Sequence, residues 1–117
     1  MIDQAYSYQY GPVAFKPTFA SGEQTFRTDR EGAIAYFVGH NLKFPKDKGY
    51  TLTSWRSCKI ANNVIQLNGS TATTMGNVIF TDAAGTVTRV DKTWSLKKET
   101  DGSVRIVLHH SSLNYGS

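Results

Sequence analysis

Two hydrophobic textures divide this chain. From Tyr50 onward, apolar and polar residues alternate in runs broken by Gly, Asn and Asp. "TLTSWRSCKIA" alternates and is rich in β-formers, and "NVIQLNGSTATTMGNVIFTD" reads as two strands around an Asn68-Gly69 turn. "DAAG" then turns into "TVTRVDKTWSLKK", and "ETDG" turns into "SVRIVLHHSSL". Strands at this spacing, joined by short turns, predict an antiparallel meander. The first half reads differently. "MIDQAYSYQY" is aromatic-rich and too short to be a stable helix alone, and the two prolines of "YGPVAFKPTF" bar a regular helix there. Thr28-Asp29-Arg30-Glu31 has the form of a capping box, with Thr28 as N-cap and Glu31 reaching back. The helix it starts should carry Ala33, Ile34, Tyr36, Phe37 and Val38 and stop at Gly39. A helix first and a sheet after give the class α+β, with a curved antiparallel sheet wrapped around a helix.

The last predicted strand ends in a dense polar cluster, Leu108-His109-His110-Ser111-Ser112-Leu113. Successive side chains of a strand leave opposite faces, so His109 pairs with Ser111 and His110 with Ser112. Apolar residues occur on both faces upstream. Regular alternation favours the Val104, Ile106 and Leu108 face, which is that of His110, as the core side. The same geometry argues against a metal clamp, because adjacent histidines diverge and the third histidine, His40, lies just past the helix. An acyl-transfer nucleophile is weakly supported: a serine shares a face with a histidine, but no carboxylate is placed to orient the base. A polar strand end satisfied by backbone and solvent is the bland alternative.

Composition narrows the rest. The chain has 117 residues, 39% hydrophobic, 12% aromatic and 19% charged, which suits one globular domain with one core. The net charge of +4 is spread along the chain rather than clustered, so a nucleic-acid partner is not expected. No apolar stretch approaches the ~20 residues of a membrane span, and no membrane partner is expected. The single cysteine, Cys58, excludes an internal disulfide and a cysteine-rich zinc knuckle. Tyr36 has Gly32, Ala33, Gly39 and His40 at helical neighbour positions, and small residues there leave space around its hydroxyl. Thr18, after Lys16-Pro17, is either a turn residue or a hydroxyl aimed into the space the sheet encloses.

"YGPVAFKPT", "EGAIAYFVGHN", "FPKDKGY", "MGNVIFTDAAG" and "HHSSL", in this order, together resemble one family along nearly the whole chain. It is that of the iota-class carbonic anhydrases, related in fold to the calmodulin-dependent kinase II association domain and the nuclear transport factor 2-like cone. The resemblance implies a cone-shaped domain that pairs as a homodimer. It implies a lyase that hydrates CO2 to bicarbonate, in several members without a metal or other cofactor. It also implies pocket hydroxyls from Thr18, Tyr36 and Ser111, with His109 beside them. The family suggests an algal plastid or a bacterial compartment. Two departures stand out. Asn114 occupies a position where members carry proline, and the long first helix is nearly absent, so residues 1–117 are expected to be one excised repeat of a longer protein.

On this reading Thr18, Tyr36 and Ser111 hold the attacking water and the bicarbonate-like oxygens, while Phe15 and Phe37 hold CO2. His109 is the expected proton shuttle, since an unperturbed tyrosine, with a pKa of ~10, is a poor base at neutral pH. The alternative is a non-enzymatic association module that holds a small ligand in the cone.

Overall fold

In a computed structural model, which describes residues 2–50 and 55–115, one sheet carries the architecture. The elements are α1 (Ile2–Ala5), β1 (Ala14–Lys16), α2 (Arg30–Val38), β2 (Trp55–Asn68), β3 (Thr71–Asp82), β4 (Val87–Lys98) and β5 (Val104–Leu113). The strand order is β1-β5-β4-β3-β2. β2 to β5 form the expected antiparallel meander. The segments read as separate strands on either side of Asn62 are one 14-residue strand, β2, kinked between Asn62 and Val64 by a register shift. Gly76 lies opposite this bulge. A Cβ there would overlap the Ala61 carbonyl oxygen, so only glycine lets β2 approach so closely.

The proline-bounded segment gives a strand that alternation did not predict. Ala14–Lys16 pairs parallel with β5, placing Phe15 beside His109 and Lys16 beside His110. Helix α2 starts one residue later than the capping box implied. Asp29 is the N-cap, its Oδ1 accepting the Gly32 N–H at 2.8 Å. The Thr28 carbonyl is engaged by the Val13 N–H, so the chain is still extended there, and Glu31 faces Lys43 instead of the cap. Gly39 ends the helix at φ +68, with its N–H on the Ala35 carbonyl. A Cβ at Gly39 would press on the backbone of Lys48 and Gly49, so the glycine also admits the loop that follows.

The core sits between α2, the N-terminal segment and the β1–β5 end of the sheet. Ile2, Tyr6, Val13, Phe15, Ala33 and Tyr36 form it, with Ile106 and Phe37 packed alongside. Ile106 thus shares a face with the buried His109 and Ser111, against regular alternation. A second bulge explains this. Ser95 pairs with Leu108 but Leu96 with Ile106, so Val107 is the extra residue that reverses the face of everything after it. The expected core face is therefore corrected: Val104 and His110 are exposed, while His109 and Ser111 are buried.

Candidate active site

The bulge at Val107 turns the polar end of β5 inward. Ser111 is fully buried, and its hydroxyl bonds that of Thr18, which follows β1 by two residues. Lys16 fastens the same corner by donating to the Ser111 carbonyl at 2.9 Å. Tyr36, from the core face of α2, stacks on Tyr50 at 5.5 Å between ring centres and meets Phe15 edge-on. Its hydroxyl is buried and makes no hydrogen bond of acceptable geometry among the described residues. Burial pushes its pKa up to about 12, while the nearby Phe19 backbone and Thr18 hydroxyl favour ionisation. An unsatisfied buried hydroxyl costs ~1–3 kcal/mol, and a ligand oxygen at this position would remove that cost.

His109 is enclosed differently. Its ring stacks on Phe15 at 4.9 Å and lies against Trp94. Nδ1 is 2.8 Å from the Tyr6 hydroxyl and Nε2 is 2.9 Å from Lys92 Nζ. Burial, then the Lys92 charge, lower its pKa to about 3, so the ring is neutral near pH 7. Both ring nitrogens are thus engaged, and the neutral ring is braced between Tyr6 and Lys92. His110 leaves the opposite face and is exposed. Among the described residues, no group of three or more His, Cys, Asp or Glu side chains could hold a metal ion.

The structure brings Phe15, Thr18, Tyr36, Phe37, His109 and Ser111 into one neighbourhood, although four come from the first 37 residues and two from the end of the chain. A cavity of about 260 Å³ opens beside them, lined by Phe19, Tyr36, Tyr50, Trp55 and the loop from Lys46 to Gly49. Tyr36 is the one predicted residue on its wall. Phe15 and Phe37, expected to hold CO2, are stacked on each other at 5.8 Å, and neither lines the cavity. The aromatic wall is instead Phe19, Tyr50 and Trp55.

Arg27 and Asp47 set the loop that closes the cavity. Their side chains are 3% and 4% exposed and form a two-pronged pair at 2.6 and 2.9 Å. Arg27 also donates to the Gly32 and Gln24 carbonyls and lies over the Phe44 ring. The Trp55 indole N–H donates to the Tyr50 carbonyl, tying the loop's end to β2. Sequence reasoning missed Tyr6, Tyr50 and Lys92. Lys92 carried a signal, because alternation in β4 places it between Val90 and Trp94 on the inward face.

Comparisons with known proteins point to one family. A family model described as metal-independent carbonic anhydrase matches residues 1–113. A curated metal-independent carbonic anhydrase from Nostoc sp. (strain PCC 7120) is 58% identical over 115 residues, covering 98% of this chain and 56% of that protein. The chain thus spans about half the length of this relative. A crystal structure of an iota-carbonic anhydrase from a cyanobacterium, complexed with bicarbonate, superimposes with a TM-score of 0.95 at 58% identity. That match covers 99% of this chain and 71% of that one. A putative calcium/calmodulin dependent protein kinase II association domain from Xanthomonas campestris shares the fold alone, at a TM-score of 0.63 and 22% identity, over 98% of this chain and 72% of that one.

Proposed function

Because the chain belongs to the metal-independent carbonic anhydrase family, we propose that it hydrates CO2 reversibly to bicarbonate at Thr18, Tyr36 and Ser111, without a metal or other cofactor. The observation that carries this reading is the trio of hydroxyl groups: two bonded to each other and a third, on Tyr36, buried beside a cavity and without a well-formed hydrogen bond among the described residues.

Hydration requires a water oxygen to attack carbon while a proton leaves. The groups at hand are poor bases at pH 7, with Tyr36 held near 12 and His109 near 3. A relay through neutral hydroxyls meets that constraint. As the O–C bond forms, a water O–H bond breaks toward the oxygen of Ser111 or Thr18, and that hydroxyl's own proton passes to a CO2 oxygen. The product, carbonic acid, ionises in bulk water to bicarbonate and a proton. Tyr36 donates to the oxygen that gains charge; one such donor is typically worth ~10²–10³ in rate. In this scheme His109 anchors the Phe15 ring and the strand bearing Ser111, replacing the shuttle role expected of it. Phe19, Tyr50 and Trp55 supply the apolar wall for CO2. Lys46 and Lys48 at the cavity rim favour the bicarbonate anion in the reverse direction. Two copies are proposed to pair through the sheet, whose β2 and β3 expose Ile60, Val64, Ile65, Leu67 and Met75.

Stopped-flow CO2 hydration by chelator-treated protein tests the reading. A rate well above buffer that falls in Ser111→Ala supports it. No rate above buffer, or one that appears only with added Zn²⁺ or Mn²⁺, overturns it.

A further inference from the structure

Lys92 is a buried amine to which the chemistry above gives no task. It lies on β4, opposite Ser111 on β5 and Gly76 on β3. The residue is 8% exposed, and none of the ion pairs among the described residues includes it. Its polar partner is His109 Nε2 at 2.9 Å, and the Trp94 ring centre lies 5.7 Å away. The titratable groups facing it are His109 from β5, with Tyr6 beyond that ring, and Cys58 from β2, whose thiolate would favour the charged amine. Burial without a counter-charge lowers its pKa to about 8, which still leaves mostly ammonium at pH 7.

Donor and acceptor inventory then fixes the histidine. An ammonium has three donors and no acceptor, so Nε2 must present its lone pair. The single proton of the neutral ring therefore sits on Nδ1 and is donated to the Tyr6 oxygen at 2.8 Å. Loss of the ammonium proton removes this constraint. A neutral amine can accept from Nε2–H while Tyr6 donates to Nδ1, so the whole chain of hydrogen bonds can reverse. The ring that would switch is stacked on Phe15 and stands two residues before Ser111.

We propose that Lys92 is a positioning residue for the CO2 site, whose ammonium holds His109 as the neutral Nδ1–H tautomer and so fixes the ring that backs Phe15 and Ser111. The catalytic part of this inference rests on the hydration reading; the tautomer part does not.

Long-range ¹⁵N–¹H NMR of the histidine rings in the full chain separates the two. In the wild type at pH 6.5, His109 Nε2 should show the shift of an unprotonated nitrogen and Nδ1 that of a protonated one. The pattern should change as pH passes through about 8. Lys92→Met should move the ring toward the Nε2–H tautomer at pH 7 and lower kcat for CO2 hydration by about ten- to a hundredfold, as misplacement near a reacting centre does. Lys92→Arg, which keeps a cationic donor, should retain the Nδ1–H tautomer. A protonated Nε2 in the wild type at pH 6.5 overturns the proposal. So does a Lys92→Met protein that keeps the wild-type tautomer, or one that changes tautomer with unchanged kcat. If Lys92→Met does not fold, the wild-type titration alone decides. If the tautomer follows Lys92 while wild-type protein hydrates no CO2, the hydration reading falls and the hold of Lys92 on His109 stands.

Discussion

The two edges of the sheet are built on opposite terms. At the β1–β5 edge, α2 and the N-terminal segment cover the strands, and Val13, Phe15 and Ser111 are at most 1% exposed. At the other edge, thirteen of the fourteen residues of β2 are exposed, Ile60, Ile65 and Leu67 among them. The covered edge holds every hydroxyl of the candidate site; the proposed proton relay needs oxygens fixed to a fraction of an ångström, and packed aromatic rings supply that fixity. The open edge exposes apolar residues along its length, and pairing of two copies is proposed there. On the proposed function, precision and association are thus separated by the width of one sheet.

The sharpest way to break this contrast is to loosen the covered edge. Arg27→Met strands the Asp47 carboxylate at a site where its side chain is 4% exposed. Removing one partner of a buried pair typically costs ~3–5 kcal/mol, so thermal unfolding should fall by many degrees. Arg27→Met with Asp47→Leu should recover much of that stability. Because the pair also anchors the cavity loop, hydration should drop in both variants. A loss under ~1 kcal/mol in the single variant would show that other contacts hold the loop.

How much of this was visible in the sequence depends on the kind of signal involved. The helix, its Gly39 stop and the meander are local and formed where pattern and turn chemistry put them, with the helix N-cap at Asp29 and the hairpin turn at Gly69-Ser70 each one residue later than expected. The pairing of His109 with Ser111 followed from strand geometry alone. The core face of β5 was misread because one extra residue, Val107, inverts alternation, and a bulge leaves no mark in a hydrophobic pattern. The parallel strand β1 was hidden by its prolines and three-residue length. Thr18 and Tyr36 could be joined to Ser111 only through family resemblance, since they meet across more than seventy residues of chain. The environment of His109 was invisible for the same reason: Tyr6 and Lys92 reach it from distant parts of the chain, and burial, then the Lys92 charge, make it a far weaker base than its type suggests.

Within the covered edge, the next effect separates function from stability. Tyr36→Phe removes a buried hydroxyl that makes no well-formed hydrogen bond among the described residues. Stability should stay the same or rise slightly, because no hydrogen bond is lost. CO2 hydration should nevertheless fall by ~10²–10³. Unfolding and stopped-flow measurements on one preparation test both halves, and an unchanged rate rejects Tyr36 as donor. Because burial holds its pKa near 12, no loss of rate from its ionisation should occur below about pH 11.

Acid offers a smaller, graded probe of the same edge. His109 titrates near 3 when folded and near 6.5 in its unperturbed form, so between these values the unfolded chain binds more protons. The stability tied to its neutral form is complete above pH 6.5 and is lost as pH falls toward 3. The slope is up to about 1.4 kcal/mol per pH unit from this one group. His109→Gln should flatten the stability curve in that window. An equally steep curve in the variant would assign the acid sensitivity to other groups.

The smallest expected effect on the folded chain lies at the open edge, and it completes the comparison. Leu67 is 79% exposed and Ile65 58% exposed, so lysine at either position removes little burial within one copy. Substitutions at such surface positions usually change stability by no more than ~0.5 kcal/mol. If two copies meet there, the same change places a charge in an apolar interface and should lower the mass in solution to that of one chain, 12.9 kDa. Light scattering on Ile65→Lys and Leu67→Lys, beside their unfolding curves, gives both numbers. A dimeric mass that survives both changes would place the partner surface elsewhere on the sheet. A large loss of monomer stability would mean that β2 is held by more than its neighbour β3, against what its exposure implies.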